Sequence, residues 1–132
     1  MKQELDDKSR LELVNYRMAR AKETLKEADL LCANGYYNTA VSRLYYACFY
    51  AAEALLLKNK IQTQTHSGVK TMFGMHFVAT GKVPIAIGKT LSTLFEKRQS
   101  GDYEDFIYCE KQDVEELRAR TVEFIDCIDD LL

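Results

Sequence analysis

The chain has 132 residues, of which 47% are hydrophobic and 29% charged, with six glycines and one proline. That is the size and composition of one globular domain able to fold without disulfides or metals, and so few chain breakers argue against a many-turned β-fold. No apolar run reaches the ~18–20 residues that span a bilayer, and the N-terminus, Met1 to Asp7, is too acidic for a signal peptide. A formal net charge of −2 hides an asymmetry, because seven basic residues and one acid lie between Ala54 and Arg98, so that segment carries +6 and the remainder −8. Such asymmetry suits phosphates or an acidic partner. Cys32, Cys48, Cys109 and Cys127 are widely spaced without a Cys-x-x-Cys motif and read as reduced thiols of a cytoplasmic protein.

Periodicity predicts a first helix over Asp7–Ala33. Leu11, Val14, Met18, Ala21, Leu25, Ala28 and Cys32 recur at alternating three- and four-residue steps and form one stripe, and Asn34-Gly35 provides a left-handed stop. The second helix is expected over Tyr37–Lys58. Rows Val41–Leu44–Cys48–Ala51–Leu55 and Ala40–Ala47–Ala54, together with Tyr45, Tyr46, Phe49 and Tyr50, make most of its circumference apolar or aromatic and so place it centrally. After a polar loop to His66, a third, shorter helix over Ser67–Ala79 closes at Gly81. A fourth follows over Pro84–Gln99, with inner row Ile87, Leu91, Leu94, Arg98, and is expected to break at Ser100-Gly101-Asp102. The fifth covers Gln112–Leu132, with Val114, Leu117, Thr121, Phe124, Ile128 and Leu131 repeating the bundle spacing. Asp126, Asp129 and Asp130 crowd its negative end and read as a solvated face rather than a metal site. The expected architecture is an all-α, up-and-down bundle of about five helices forming a single domain over residues 1–132. The aromatic load of the second helix suggests a homodimer.

Arg98 stands where the row calls for a hydrophobe, and an inward guanidinium is costly unless it is paired or reaches an anion. Asp102 and Tyr103 follow within about a turn, and the plain alternative is a helix-end arginine bridging Asp102 or reaching the last carbonyls. Arg43, Tyr46, Tyr50 and Glu53 share one face of the second helix, either as an internal ion pair or as a groove of guanidinium and phenol groups for a nucleotide or RNA phosphate. His76, beside Met72 and Phe73, reads as a packed histidine. His66 opens the third helix, at the end of an up-down bundle where the fourth helix finishes, so it could converge with Arg98 and Tyr103 for acid–base work on a phosphate. Gly-rich phosphate loops, nucleophile elbows and His-Glu-x-x-His pairs are absent from the sequence, and no metal or cofactor is expected.

The stretch from Tyr37 to Leu56, with Ser42-Arg43-Leu44-Tyr45-Tyr46-Ala47 at its centre, resembles the second helix of HEPN-domain proteins, more specifically the UPF0332 branch. Thr65-His66-Ser67-Gly68-Val69, Phe77-Val78-Ala79-Thr80-Gly81 and the segment Arg98 to Tyr103 agree in the same order. The resemblance implies a dimerising helical bundle, often paired with a minimal nucleotidyltransferase as toxin and antitoxin. Many HEPN proteins are metal-independent ribonucleases marked by an arginine with a histidine four to six positions later. Here Arg98-Gln99 is followed by Ser100 to Glu104 without a histidine. The leading expectation is therefore a non-catalytic dimeric domain binding a nucleotide, RNA or a nucleotidyltransferase through Arg43, Tyr46, Arg98, Asp102 and Tyr103. The alternatives are a divergent ribonuclease using His66 and Arg98, and a purely structural dimerisation module.

Overall fold

The computed structural model describes residues 5–103 and 109–132, with side chains described for 5–98 and 109–132. The elements are α1 (Asp7–Ala33), α2 (Tyr37–Lys58), α3 (His66–Phe73) continuing into a π-helical segment (Gly74–Val78), α4 (Ile85–Tyr103) and α5 (Lys111–Leu131). No strand occurs among the described residues. The fold is an all-α helical bundle with α2 at its centre, in contact with α1, α3, α4 and α5.

Each boundary has a local cause. The Asp6 carboxylate accepts from the Ser9 amide at 2.7 Å and opens α1. Gly35, at φ +82°, closes α1 in a Schellman turn: its amide bonds the Cys32 carbonyl at 3.1 Å and the Tyr36 amide bonds Leu31 at 2.9 Å. The end of α2 repeats this turn, with Lys60 and Ile61 donating to the Leu57 and Leu56 carbonyls, but the left-handed position is taken by Lys60 at φ 61°. Thr65 caps α3 by accepting from the Gly68 amide at 2.9 Å, which sets His66 on the first helical turn. A reciprocal capping box between Glu110 and Asp113 starts α5.

The central position of α2 follows from its small residues. Ala40, Ala47, Ala51, Ala52 and Ala54 are fully buried and let neighbouring helices approach, while Val41, Leu44, Leu55 and Leu56 fill the space between. Val14, Met18, Ala21 and Ala28 of α1, Val69 and Phe73 of α3, Leu91 and Leu94 of α4, and Leu117, Phe124 and Ile128 of α5 complete one core. Cys48 lies inside it, and burial pushes its thiol up to about 12, leaving it protonated and unreactive. The crowded acidic end of α5 is relieved by Lys22, whose ammonium sits 2.9 Å from Asp129, and by Lys58, which donates to the Leu131 and Leu132 carbonyls.

Four expectations need correction. Leu11, placed on the inner stripe of α1, is exposed on the rim of a cleft between α1 and the end of α5. The third helix is α-helical only to Phe73. The wider π turn that follows keeps both Phe73 and Phe77 in the core and turns His76 outward, so that histidine is exposed rather than packed. The fourth helix begins at Ile85, directly after Pro84, and does not break at Ser100-Gly101-Asp102 but runs on to Tyr103. One interior glycine costs only about 1 kcal/mol, too little to end a helix unaided.

Candidate functional site

Tyr45, Tyr46 and Phe49 project from α2 toward the start of α3, and His66 sits among them. The Tyr45 hydroxyl lies 2.7 Å from His66 Nδ1. The imidazole stacks on Phe49 with ring centroids 4.2 Å apart and meets Tyr46 edge-on at 5.8 Å. Arg98 reaches this cluster from α4, its guanidinium carbon 5.5 Å from the Tyr45 ring centroid and 5.2 Å from that of Tyr46. Arg43 approaches the same Tyr46 ring to 4.7 Å. Thus Arg43, Tyr46, His66 and Arg98, four of the six residues singled out in the sequence, are brought together from three helices. The side chains of the other two, Asp102 and Tyr103, lie outside the described residues.

The electrostatics follow from this packing. Burial, and then the nearby Arg98 charge, hold the His66 imidazolium below its ordinary range, which favours the neutral ring near neutral pH. Burial raises the Tyr45 phenol far above its usual value and keeps it protonated. A protonated phenol can donate to Nδ1, and in that tautomer the ring proton of neutral His66 resides on Nε2. Such an imidazole offers a hydrogen-bond donor to an anion rather than a base to a hydroxyl.

The face of α2 carrying Arg43, Tyr46, Tyr50 and Glu53 is matched along the antiparallel α1. The Arg17 guanidinium pairs with Glu53 at 2.9 Å, the Arg20 guanidinium carbon lies 5.6 Å from the Tyr50 ring centroid, and Glu27 stands 3.8 Å from Arg43. Burial raises the Glu53 carboxyl against the lowering effect of Arg17. Arg43 and Glu27 form a long ion pair across the α1–α2 seam, and the arginine side chain keeps 30% of its exposure, so the pairing leaves it partly open.

Tyr45 and Phe49, which hold His66, read in the sequence only as core aromatics. Their role could not be distinguished without knowing that the loop after α2 returns the chain to the middle of that helix. Arg10, Arg17, Arg20 and Glu27, at steps of seven, three and seven, do carry a legible signal: a polar row on α1 beside its apolar stripe.

The HEPN domain family model matches residues 14–131. The chain is 38% identical over 120 residues to a UPF0332 protein of Thermotoga maritima, covering 91% of each chain. It is 37% identical over 109 residues to a UPF0332 protein of Gloeobacter violaceus, covering 82% of this chain and 86% of that one. A Methanocaldococcus jannaschii protein whose name proposes it as a toxin is 34% identical over 98 residues, covering 74% of this chain and 67% of that one. The chain belongs to the HEPN family, and within it to the UPF0332 group. None of the described helices is long and apolar enough to cross a membrane.

Proposed function

We propose that this chain is a non-catalytic, cytoplasmic, homodimeric HEPN domain that binds RNA or a nucleotide through its phosphate, as the toxin-like member of a pair with a minimal nucleotidyltransferase. The observation that carries the binding reading is the convergence of Arg43 from α2 and Arg98 from α4 on the single ring of Tyr46, beside the His66 imidazole. Two guanidiniums held against one ring supply planar, bidentate recognition of a phosphate. The toxin-like role rests on family membership and on relatives whose names propose them as toxins.

Binding is tested by fluorescence anisotropy with a labelled eight-nucleotide single-stranded RNA across a salt series. Arg98→Ala is expected to weaken affinity about tenfold and Arg43→Ala several-fold, each lowering the salt slope by about one. Equal affinity in the wild type and the double variant removes the site. The nucleotidyltransferase partnership is tested by co-expression with the neighbouring open reading frame and mass measurement of the purified complex.

The divergent ribonuclease remains a second reading, because His66 and Arg98 both pack on Tyr45 and Tyr46. The absence of a histidine in the positions that follow Arg98, Gln99 to Glu104, disfavours it. RNA cleavage that persists in EDTA and disappears in Arg98→Ala would reverse that preference.

A further inference from the structure

Beyond the Arg43–Arg98 cluster, the seam between α1 and α2 opens into a cavity of about 450 Å³ under the loop that joins α2 to α3. Arg10, Arg17, Glu53, Lys60 and Thr63 give it polar walls, and Leu57 is part of its apolar floor. That volume and mixture of walls suit one nucleotide-sized guest. Arg10 is held in place by its own hydrogen bonds, Nη1 to the Leu57 carbonyl at 3.2 Å and Nη2 to the Leu5 carbonyl at 3.3 Å. Its Nε is buried and has no hydrogen-bond partner among the described residues. At the rim, Lys60 occupies the left-handed position of the turn that ends α2 and is the one non-glycine residue with positive φ among those described. Glycine would relieve that conformation, whereas lysine adds a cation to the cavity wall.

Glu53, which lines the cavity, shares one face of α2 with Arg43 and Tyr46 of the candidate site. Arg43, Tyr46, Tyr50 and Glu53 run along α2 for about 15 Å at 1.5 Å per residue. Arg20 covers Tyr50 and Arg17 pairs with Glu53 on the way. A row of guanidiniums along one seam is an arrangement that can track the phosphates of a single strand. Glu23, Glu27 and Glu53 lie along the same seam, yet Arg10, Arg17, Arg20, Arg43 and Lys60 outnumber them.

We infer that the cavity beneath the α2–α3 loop is a second RNA subsite, which holds a nucleotide several positions along a single strand whose phosphate is gripped by Arg43 and Arg98. The inference rests on the RNA-binding reading above and narrows its ligand from any nucleotide to a single strand long enough to span both places.

The test compares labelled two-nucleotide and eight-nucleotide single-stranded RNAs on the full chain. The wild type is expected to bind the longer RNA at least tenfold more tightly. Lys60→Gly and Arg10→Gln should weaken the eight-nucleotide RNA three- to tenfold and leave the two-nucleotide RNA within twofold, whereas Arg98→Ala weakens both. Lys60→Gly removes the cation and eases the backbone together, so its melting temperature should equal or exceed that of the wild type, which separates lost binding from lost folding. If Arg98→Ala weakens binding but Lys60→Gly and Arg10→Gln do not, or if they weaken both lengths equally, the second subsite is overturned and the first reading stands. If neither RNA binds the wild type, both fall.

Discussion

At the scale of single residues, the site is governed by what burial does to His66. The Tyr45 hydroxyl fixes one ring nitrogen, Phe49 covers one face, and Arg98 adds a repelling charge, so protonation is disfavoured in the folded state. Its folded pKa is depressed below the ordinary 6.5, which means that the unfolded chain takes up the proton first on acidification. The stability linked to His66 is therefore fully present above pH 6.5 and is lost as pH falls through the lower folded value. Glu53 acts oppositely: its carboxyl is raised above 4.5, so its contribution is present below 4.5 and is lost as pH rises through the folded value. Because both groups titrate on acidification, the His66 term is read from the difference between wild type and His66→Gln. That difference is expected to move against the wild type as pH falls below 6.5. NMR titration of the imidazole should give a midpoint below 6.5 that rises in Arg98→Ala but stays below the unfolded value, since burial is the larger cause. A midpoint at or above 6.5 in the wild type would contradict this account.

Arg98 could be found from sequence because it interrupts a row of hydrophobes, and an interruption is visible without coordinates. Tyr45 could not, because a buried tyrosine with a hydroxyl partner and one without look identical in a row of core positions. The same holds for Glu53, whose partner is Arg17 rather than Arg43 on its own helix. Spacing defines a face, but the residues across from it depend on how the neighbouring helix is rotated.

At the scale of elements, the joint between α3 and α4 shows where periodicity misleads. The rows of α1, α2 and α5 keep α-helical spacing and place their buried residues well, apart from Leu11 at the open end of α1. The π turn at Gly74–Val78 breaks that spacing, and the error falls on His76. Two glycines nearby have opposite reasons to be there. A Cβ on Gly88 would stand 2.6 Å from Val78 Cγ2, so α4 lies against the π segment with no room for a methyl group. Gly74 is right-handed at φ −60° with nothing within 4 Å of a Cβ. Gly74→Ala should thus stabilise the fold by about 0.5–1 kcal/mol, from the entropy removed from the unfolded chain. Gly88→Ala gains the same helix preference but must push Val78 aside, and a net loss of about 1–2 kcal/mol is expected. Chemical denaturation measures both. Combining Gly88→Ala with Val78→Ala should cost less than the separate losses added together, because the shortened side chain removes the collision. Fully additive losses would show that the close approach is not what matters.

At the scale of the whole molecule, the central place of α2 was legible because a helix apolar around its circumference has nowhere else to go. The links that tie the ends of the bundle were not. Arg118 grips Asp29 through two bonds of 2.6 and 3.0 Å, and Lys22 reaches Asp129, although each pair is about 90 or more residues apart in sequence and reads as ordinary surface charge. The sequence argument for a homodimer also changes its footing. The aromatic load of α2 is absorbed inside one chain, since Tyr45 and Phe49 are buried and Tyr46 and Tyr50 lie beneath arginines. What bears on a second copy is the set of apolar side chains left outside, among them Leu11, Tyr16 and Leu30 on α1, Tyr36 after it, and Met75 and Ile85 around the π segment. If association buries part of that surface, folding and assembly are linked by mass action, and the melting temperature should rise with protein concentration. Light scattering should give twice the 15.2 kDa of one chain at micromolar concentration. Leu11→Asp and Ile85→Asp probe the two ends of the exposed set, and the one that lies in the interface should halve the mass and abolish the concentration dependence of melting. A single-chain mass for the wild type, with a melting temperature indifferent to concentration, would leave the bundle a monomer and confine any RNA contacts to the residues of one chain.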